Sequence, residues 1–271
     1  MTLSARDIAE ALERHGLAPT KALGQNFVVD PNTVRRIARL AEVGPGDRVV
    51  EIGAGLGSLT LALVETGAEV TAVEVDRGVV PVLRDHLADH DVRIIEADAL
   101  TVDWDDVLPG DGWVLVANLP YNVGTPLLAD LLEHVGRIER FLVMVQLEVA
   151  ERLVARPGDQ ARGALSVKVE ARADARLVGR VGPNVFLPKP SVDSALVDLR
   201  RRDRPVLAGV DLEVLSSVVE RAFGQRRKML RRSLGGLLDA DRIEAAGVDP
   251  RQRPEQLSLV EWARLASAVA R

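Results

Sequence analysis

The segment Asn118-Leu119-Pro120-Tyr121 follows an apolar stretch that predicts a strand, and its residue types could activate an aromatic amine. Proline forces the residue before it into extended backbone, so we expect the Leu119 carbonyl to emerge from the strand end unpaired within the sheet. The side-chain carbonyl of Asn118 can point the same way. Two acceptors on one exocyclic amine, such as that of adenine, would activate its nitrogen through positioning and electrostatic preorganisation. Tyr121, the single tyrosine, can stack on the target base; a plain proline turn is the alternative.

A second candidate site is the glycine-rich loop that follows the predicted strand 48–52 and contains Gly53 and Gly55. Glycines at this place let the backbone turn sharply and approach a ligand closely. The dinucleotide pattern Gly-x-Gly-x-x-Gly is not met, because Ser58 occupies its last glycine position. Glu51, just before the loop, disfavours a phosphate and favours a cationic ligand. S-adenosylmethionine has an ammonium group, a sulfonium and no phosphate, and therefore fits; a nicotinamide site and a purely structural turn are the alternatives.

Acidic residues also end the next two predicted strands. Glu74 ends the second strand and can accept hydrogen bonds from both hydroxyls of a ribose. Asp98, which precedes Ala99, follows the third strand and can accept from an adenine amine. Since the carboxyl ends of parallel strands meet at one edge, we expect Glu51, Glu74 and Asp98 to lie along one rim.

The elements that would position these residues alternate between strand and helix, which predicts an α/β fold with a mostly parallel sheet. A helical extension is expected over 1–46, with Ser4 and Asp30 as N-caps. Beyond about residue 203 the pattern is helical only. We therefore expect a Rossmann-like domain over 1–203 and a small C-terminal α-helical domain over 204–271.

Composition limits the chemistry further. The chain has no cysteine and four histidines, none in a metalloprotease pattern, so no metal site is expected. No apolar stretch is long enough for a membrane span and the first residues carry charge, which favours a cytoplasmic protein with no membrane partner. The net charge is −5, yet residues 200–232 contain ten Arg or Lys against four acids. Such a segment could bind phosphates locally, although it could also be an ordinary solvated surface.

Five segments resemble motifs of the KsgA family, the ribosomal small-subunit adenine dimethyltransferases, which use a class I methyltransferase domain. The resemblance runs from about Lys21 to the C-terminus, and it departs from the family at Leu23 and Arg162, where an aromatic residue is usual. The segments are Gly24-Gln25-Asn26-Phe27, the glycine loop, Asn118–Tyr121, the proline-rich loop from Phe186 to Ser194, and Ala222-Phe223-Gly224-Gln225-Arg226-Arg227-Lys228.

The resemblance implies roles for individual residues. Gln25, Asn26 and Phe27 would approach the methionine part of S-adenosylmethionine, Gly53 and Gly55 would line it, Glu74 would hold its ribose, and Asp98 and Ala99 its adenine. Asn118 and Leu119 would bind the target amine, and Asn118 would also contact the cofactor. Pro120 belongs to the same catalytic motif, while Tyr121 and Phe186 would sandwich the base. The residues expected to contact RNA are Lys189, Arg226, Arg227, Lys228 and Arg231.

The implied substrate is a hairpin near the 3′ end of 16S rRNA in the 30S subunit, where two adjacent adenosines receive two methyl groups each. The enzyme would act as a monomer. Three alternatives stay open: a large-subunit rRNA dimethyltransferase, a DNA adenine methyltransferase, and an assembly factor that acts mainly by binding. The Val-Asp-Ser ending of the proline-rich loop and the Gln-Arg-Arg-Lys segment argue against the first. DNA enzymes often carry Asp-Pro-Pro-Tyr where this chain has Asn118–Tyr121.

Overall fold

The computed structural model describes residues 2–20, 24–202 and 209–270. Position 23, where the sequence departs from its family, and the expected domain boundary at 203 lie outside these ranges. The chain forms two compact units. We call them the sheet unit, Met1–Ala150 with Arg176–Arg200, and the helical unit, Glu151–Ala175 with Arg201–Arg271.

The sheet unit is built on a seven-stranded sheet in the order β4-β3-β2-β5-β6-β9-β7. The five strands from β4 to β6 run parallel, and β9 pairs antiparallel with β6. The mostly parallel α/β fold is thereby confirmed. The strands are β2 (Arg48–Ile52), β3 (Glu69–Glu74), β4 (Val92–Glu96), β5 (Trp113–Asn118), β6 (Ile138–Gln146), β7 (Ala173–Val181) and β9 (Ser194–Arg201).

Helices cover the sheet, and the first two begin directly after N-capping residues. Ser4 and Asp7 form a capping box for the first helix, and Asp30 accepts from the amides of Asn32 and Thr33 at the second. Buried apolar side chains of these helices face the sheet unit's core. The helices are α1 (Ala5–Arg14), α2 (Pro31–Ala41), α3 (Ser58–Val64), α4 (Val80–His86), α5 (Trp104–Val107), α6 (Gly124–His134) and α7 (Leu147–Val154).

A second, two-stranded sheet was not predicted from the sequence. It pairs β1 (Phe27–Val28) antiparallel with β8 (Phe186–Leu187), so that Phe27 lies opposite Leu187 and Val28 opposite Phe186. Two-residue strands are too short to show an alternating pattern. This pairing joins the N-terminal motif to the proline-rich loop.

The helical unit has its own core around Trp262, to which α8 contributes Val167 and Ala171. The sequence-based boundary near 203 assigned residues 151–175 to the first domain, whereas the structure places them with the helical unit, because α8 shares this core. Its helices are α8 (Ala164–Arg172), α9 (Leu212–Phe223), α10 (Leu230–Ser233), α11 (Ala240–Ala245) and α12 (Leu259–Val269).

Arg162, the second departure from the family pattern, is fully buried in the helical unit. Its guanidinium donates to the carbonyls of Ala155 and Leu257 at 3.0 and 3.1 Å and to the Glu170 carboxylate at 2.8 Å. These partners explain how a charged side chain is accommodated where an aromatic one is usual. Within the described ranges, none of the helices has the length and apolar character needed to cross a bilayer.

Candidate active site

One cleft lies at the carboxyl ends of β2, β3, β4 and β5, where ligands bind in open α/β sheets. The empty space between its walls, including the part open to solvent, is about 1020 Å³. It brings together every predicted cofactor residue and the whole tetrapeptide. Those residues are Gln25, Asn26, Phe27, Glu51, Gly53, Gly55, Glu74, Asp98, Ala99, Asn118, Leu119, Pro120 and Tyr121.

The glycine loop adopts backbone that requires glycine. Gly55 has a φ of +55°, and a Cβ added there would come within 2.9 Å of the Phe27 ring. The amide of Gly53 donates to the Val73 carbonyl at 2.8 Å, which continues the sheet into the loop. The loop therefore fits closely between β3 and the N-terminal segment.

Glu74 holds this loop in place. One of its carboxylate oxygens accepts from the Gly55 amide at 2.7 Å, and the other accepts from the amides of Val75 and Asp76, both at 2.9 Å. Burial raises the pKa of this carboxyl above its usual value, and the three amide hydrogen bonds offset part of that rise. Since two carboxylate oxygens provide about four acceptor positions, one position is left for a ligand.

Glu51 is buried below the loop in a small group of polar atoms without partners. Among the described residues, no group forms a hydrogen bond with its Oε2 or with the hydroxyls of Ser58 and Thr60, all of which are buried. Burial raises the pKa of Glu51 to about 8. The Thr60 hydroxyl offsets part of the rise, although its geometry falls short of a hydrogen bond, and the nearby charge of Glu74 adds to it. The carboxyl is therefore mostly protonated at neutral pH.

This shift makes stability depend on pH. The folded chain keeps the Glu51 proton up to a pKa of about 8, whereas an ordinary Glu carboxyl loses it at 4.5. Over that window the folded state binds more protons than the unfolded state, so the free energy of unfolding falls as pH rises. We expect Glu51→Gln to remove this fall, so that its stability relative to the wild type is greatest above about pH 8 and declines toward about pH 4.5. Urea unfolding across this range measures it, with the exposed Glu69→Gln as control; parallel curves for Glu51→Gln and the wild type would contradict the assignment.

The tetrapeptide leaves acceptors unused. Leu119 donates its amide to the Met144 carbonyl at 3.1 Å, which ties it to β6. Its own carbonyl accepts no hydrogen bond from the part of the chain that the structure describes, although the residue is only 1% exposed. The Asn118 Nδ2 donates to the Asn26 carbonyl at 2.9 Å, which fixes the amide and leaves its oxygen available. The Pro120 carbonyl is bonded by the Gly124 amide at 2.7 Å, so it serves the start of α6 instead.

Phe186 is not available as a stacking partner, and this prediction needs correction. The side chain is 4% exposed and packs in the sheet-unit core beside Val28 and Leu196. Strand β8 turns alternate side chains to opposite faces, so Phe186 points inward while Leu187 is exposed. Tyr121 is half-buried, lines the cleft, and remains the aromatic candidate; its hydroxyl lies 2.6 Å from the Ser194 hydroxyl.

The other predicted cofactor residues are held by local bonds. The Gln25 side chain accepts from the Thr20 amide at 2.8 Å and donates to Asp76 at 2.7 Å. The exposed Asp98 accepts from the Leu100 amide at 2.9 Å. Within the described residues, no group of three His, Asp or Glu side chains is arranged to hold a metal ion.

Several apolar residues of the cleft were not predicted from the sequence. Ile8 of α1 lines it, although the extension was given no role in the site. Val75 and Leu100 line it too, and both are large apolar side chains that stay about half exposed. An apolar residue directly after Glu74, and another two places after Asp98, was the signal available in the sequence.

Of the residues predicted to contact RNA, one is bonded within the helical unit and the others are exposed. Arg226 donates to the Gln160 carbonyl and lies 4.0 Å from Glu255, so its guanidinium serves the helical unit itself. Arg227, Lys228 and Arg231 are exposed, and no acid within the described ranges pairs with them. Arg231 also lines an open cleft with Arg232 and Arg242. In the sheet unit, Lys189 is exposed on the proline-rich loop.

The chain matches known proteins over almost its whole length. The family model for ribosomal RNA adenine dimethylases matches residues 18–271. Ribosomal RNA small subunit methyltransferase A of Thermobifida fusca is 48% identical over 276 residues, 97% of this chain and 95% of the relative. The protein of the same name from Bifidobacterium adolescentis is 45% identical, over 98% of this chain and 94% of its own.

A solved structure with the same fold is that of the 23S rRNA methyltransferase ErmE, with a TM-score of 0.71 and 32% identity. The match covers 91% of this chain and all of that one. The family match, residues 18–271, includes the glycine loop, the tetrapeptide and most of the chain beyond them. This chain belongs to the ribosomal RNA adenine dimethylase family.

Proposed function

We propose that this chain transfers methyl groups from S-adenosylmethionine to N6 of two adjacent adenosines in a hairpin near the 3′ end of 16S rRNA, forming N6,N6-dimethyladenosine. The observation that carries the proposal is the free acceptor pair at the end of β5, the Leu119 carbonyl and the Asn118 side-chain oxygen, inside the cleft. The family membership and the names of the relatives at 45–48% identity support the substrate.

The cleft offers groups for each part of S-adenosylmethionine. The unpartnered Glu51 oxygen suits the ammonium group, since a nearby cation favours the ionised carboxylate that burial disfavours. The acceptor position left on Glu74 suits a ribose hydroxyl. Val75 and Leu100 can cover the two faces of the adenine ring, and Asp98 can accept from its amine.

The chain's own part in the reaction is to orient and activate the target amine. When bound, S-adenosylmethionine would supply its methyl group to the N6 lone pair with cleavage of its carbon–sulfur bond, and the methylated amine would release a proton to water. The Asn118 and Leu119 oxygens accept from the two N–H bonds and hold the lone pair toward the methyl group. Tyr121 offers its ring to the base, which must leave its stack to enter the cleft.

Mass spectrometry of rRNA nucleosides tests the proposal. Small subunits from a strain that lacks the gene should contain unmodified adenosines at the hairpin, and the purified protein with S-adenosylmethionine should convert them to N6,N6-dimethyladenosine. Modification of 23S rRNA in place of 16S rRNA would contradict the substrate. The 32% identity to ErmE makes 23S rRNA the alternative to measure in the same samples.

The exposed basic residues of the helical unit are proposed to bind rRNA phosphates. We expect Arg227→Ala with Lys228→Ala and Arg231→Ala to weaken binding to small subunits, because a phosphate that the protein does not neutralise keeps its counterion. The slope of log affinity against log salt should flatten by about 0.7–0.9 for each phosphate that the variant leaves unneutralised. Filter binding at several salt concentrations measures both. Arg251→Ala, which removes an exposed arginine paired with Asp249 at 3.1 Å, is the control; an unchanged slope in the triple variant would show that these residues only face solvent.

The same basic residues keep a second candidate function open, a 30S assembly factor that acts in the cytoplasm by binding. Complementation with Asn118→Ala separates the two. Normal subunit maturation without methylation would show that binding is the main role, whereas defective maturation would favour catalysis.

A further inference from the structure

We infer that Ser194 is a positioning residue for methyl transfer, which anchors the Tyr121 hydroxyl and thereby fixes the ring on which the target base stacks. The inference rests on the proposed function of Tyr121. Ser194 lies far from Tyr121 in the sequence, at the end of the proline-rich loop.

Ser194 provides a rigid point of attachment. It is the first residue of β9, lies opposite Gln146 of β6, and is 0% exposed. The Leu147 amide donates to the Asp193 carbonyl at 2.9 Å and extends the pairing past the end of the strand. The buried Ser194 hydroxyl therefore has little freedom to move.

Tyr121, in contrast, lies in the turn between β5 and α6. Two side-chain torsions orient its ring, and regular secondary structure fixes neither of them. The hydroxyl bond of 2.6 Å to Ser194 supplies the restraint at the far end of the side chain. It links the tetrapeptide to the sheet's antiparallel strand, so the ring plane is set before a base arrives.

The Tyr121 ring also lies between two cavities. Tyr121 lines the main cleft and, with Leu119 and Pro120, a smaller cavity that reaches Gln146. A ring free to rotate at this place would misplace the base relative to the two acceptors. Loss of the anchor should therefore lower turnover more than it affects cofactor binding.

The first measurement follows the phenol directly. The chain contains one tyrosine, so ultraviolet titration of the phenolate reports Tyr121 alone. Burial raises the pKa of Tyr121, and the Ser194 hydroxyl offsets part of this rise. Ser194→Ala should therefore raise the pKa further, an effect that a general loosening of the fold with more solvent access would reverse.

The second measurement is a double-mutant cycle on methyl transfer to small subunits. We expect Ser194→Ala to lower kcat about tenfold, with the Kd for S-adenosylmethionine within about twofold of the wild type. Tyr121→Phe keeps the ring and loses the same bond. The kcat of the double variant should therefore lie within about twofold of the kcat of the less active single variant. Ser191→Ala, an exposed serine of the same loop, is the matched control.

The outcomes decide between the possibilities. An unchanged phenol pKa in Ser194→Ala, or losses in the two single variants that add in the double variant, would overturn the inference. If Ser194→Ala does not fold, Tyr121→Phe still tests the bond: turnover equal to the wild type would overturn it. If the wild-type protein transfers no methyl group, the proposed function fails, whereas the titration still decides whether Ser194 restrains Tyr121.

Discussion

Replacing Asn118 by alanine should lower the turnover of methyl transfer on the order of 100- to 1,000-fold, the loss seen when one preorganised polar group is removed from a catalytic site. The variant loses one of the two acceptors that activate the amine, while the Leu119 carbonyl remains. Single-turnover transfer from labelled S-adenosylmethionine to small subunits measures the rate. Calorimetry should show a much smaller change in cofactor affinity, because the side chain gives the N-terminal motif one hydrogen bond, to the Asn26 carbonyl.

Two further variants separate activation from orientation. Asn118→Asp keeps an acceptor oxygen and loses the donor to Asn26, so its rate should lie between those of the wild type and the alanine variant. Asn184→Ala removes an exposed asparagine elsewhere in the sheet unit and should leave the rate unchanged. Equal turnover in Asn118→Ala and the wild type would rule out the acceptor mechanism.

Glu74→Ala should weaken cofactor binding and destabilise the fold together. The amides of Gly55, Val75 and Asp76 would lose their acceptor, and a buried donor without a partner costs about 1–3 kcal/mol. Water entering the space left by the side chain would satisfy some of them, so we expect the free energy of unfolding to fall by about 2–4 kcal/mol. The missing ribose contact and the loosened loop should raise the Kd for S-adenosylmethionine by about 10- to 100-fold. Urea unfolding and calorimetry measure the two effects.

Glu96→Ala is a matched control, because Glu96 ends the neighbouring strand and lies directly opposite Glu74 in the sheet. It is exposed and pairs only with Arg77 and Arg84 among the described residues, so both quantities should stay near the wild-type values. A Glu74→Ala variant with an unchanged Kd would show that the ribose lies elsewhere.

The sequence allows the fold and most of the cleft to be predicted because one rule governs both. Alternating strands and helices specify a parallel sheet, and residues at the strand ends then share one edge. Glu51, Glu74 and Asn118 could be placed together for this reason, without knowledge of any side-chain contact. Their bonding partners could not be predicted, since Glu74 uses most of its acceptor positions on the loop's own backbone.

Prediction was weakest where burial depends on a partner distant in the sequence. Phe186 reads as an exposed aromatic on a proline-rich loop until its pairing with Val28 is known. Arg226 reads as a free cation until the Gln160 carbonyl is found beside it. Residues 151–175 directly follow the sheet unit in sequence, but the apolar side chains of α8 pack in the core of the helical unit. Local patterns carry no information about such long-range contacts.

The pairing of β1 with β8, together with the attachment of Tyr121 to Ser194, also sets when the protein can become active during its own synthesis. A nascent chain that has emerged only through β6 contains the glycine loop and the tetrapeptide, but Phe27 and Val28 have no strand beside them and the tyrosine has no anchor. Residues 186–194 supply both the strand that pairs with β1 and the serine that anchors Tyr121. A chain still short of this segment is therefore an incomplete enzyme, and chains truncated before it should not compete with finished copies for rRNA bases.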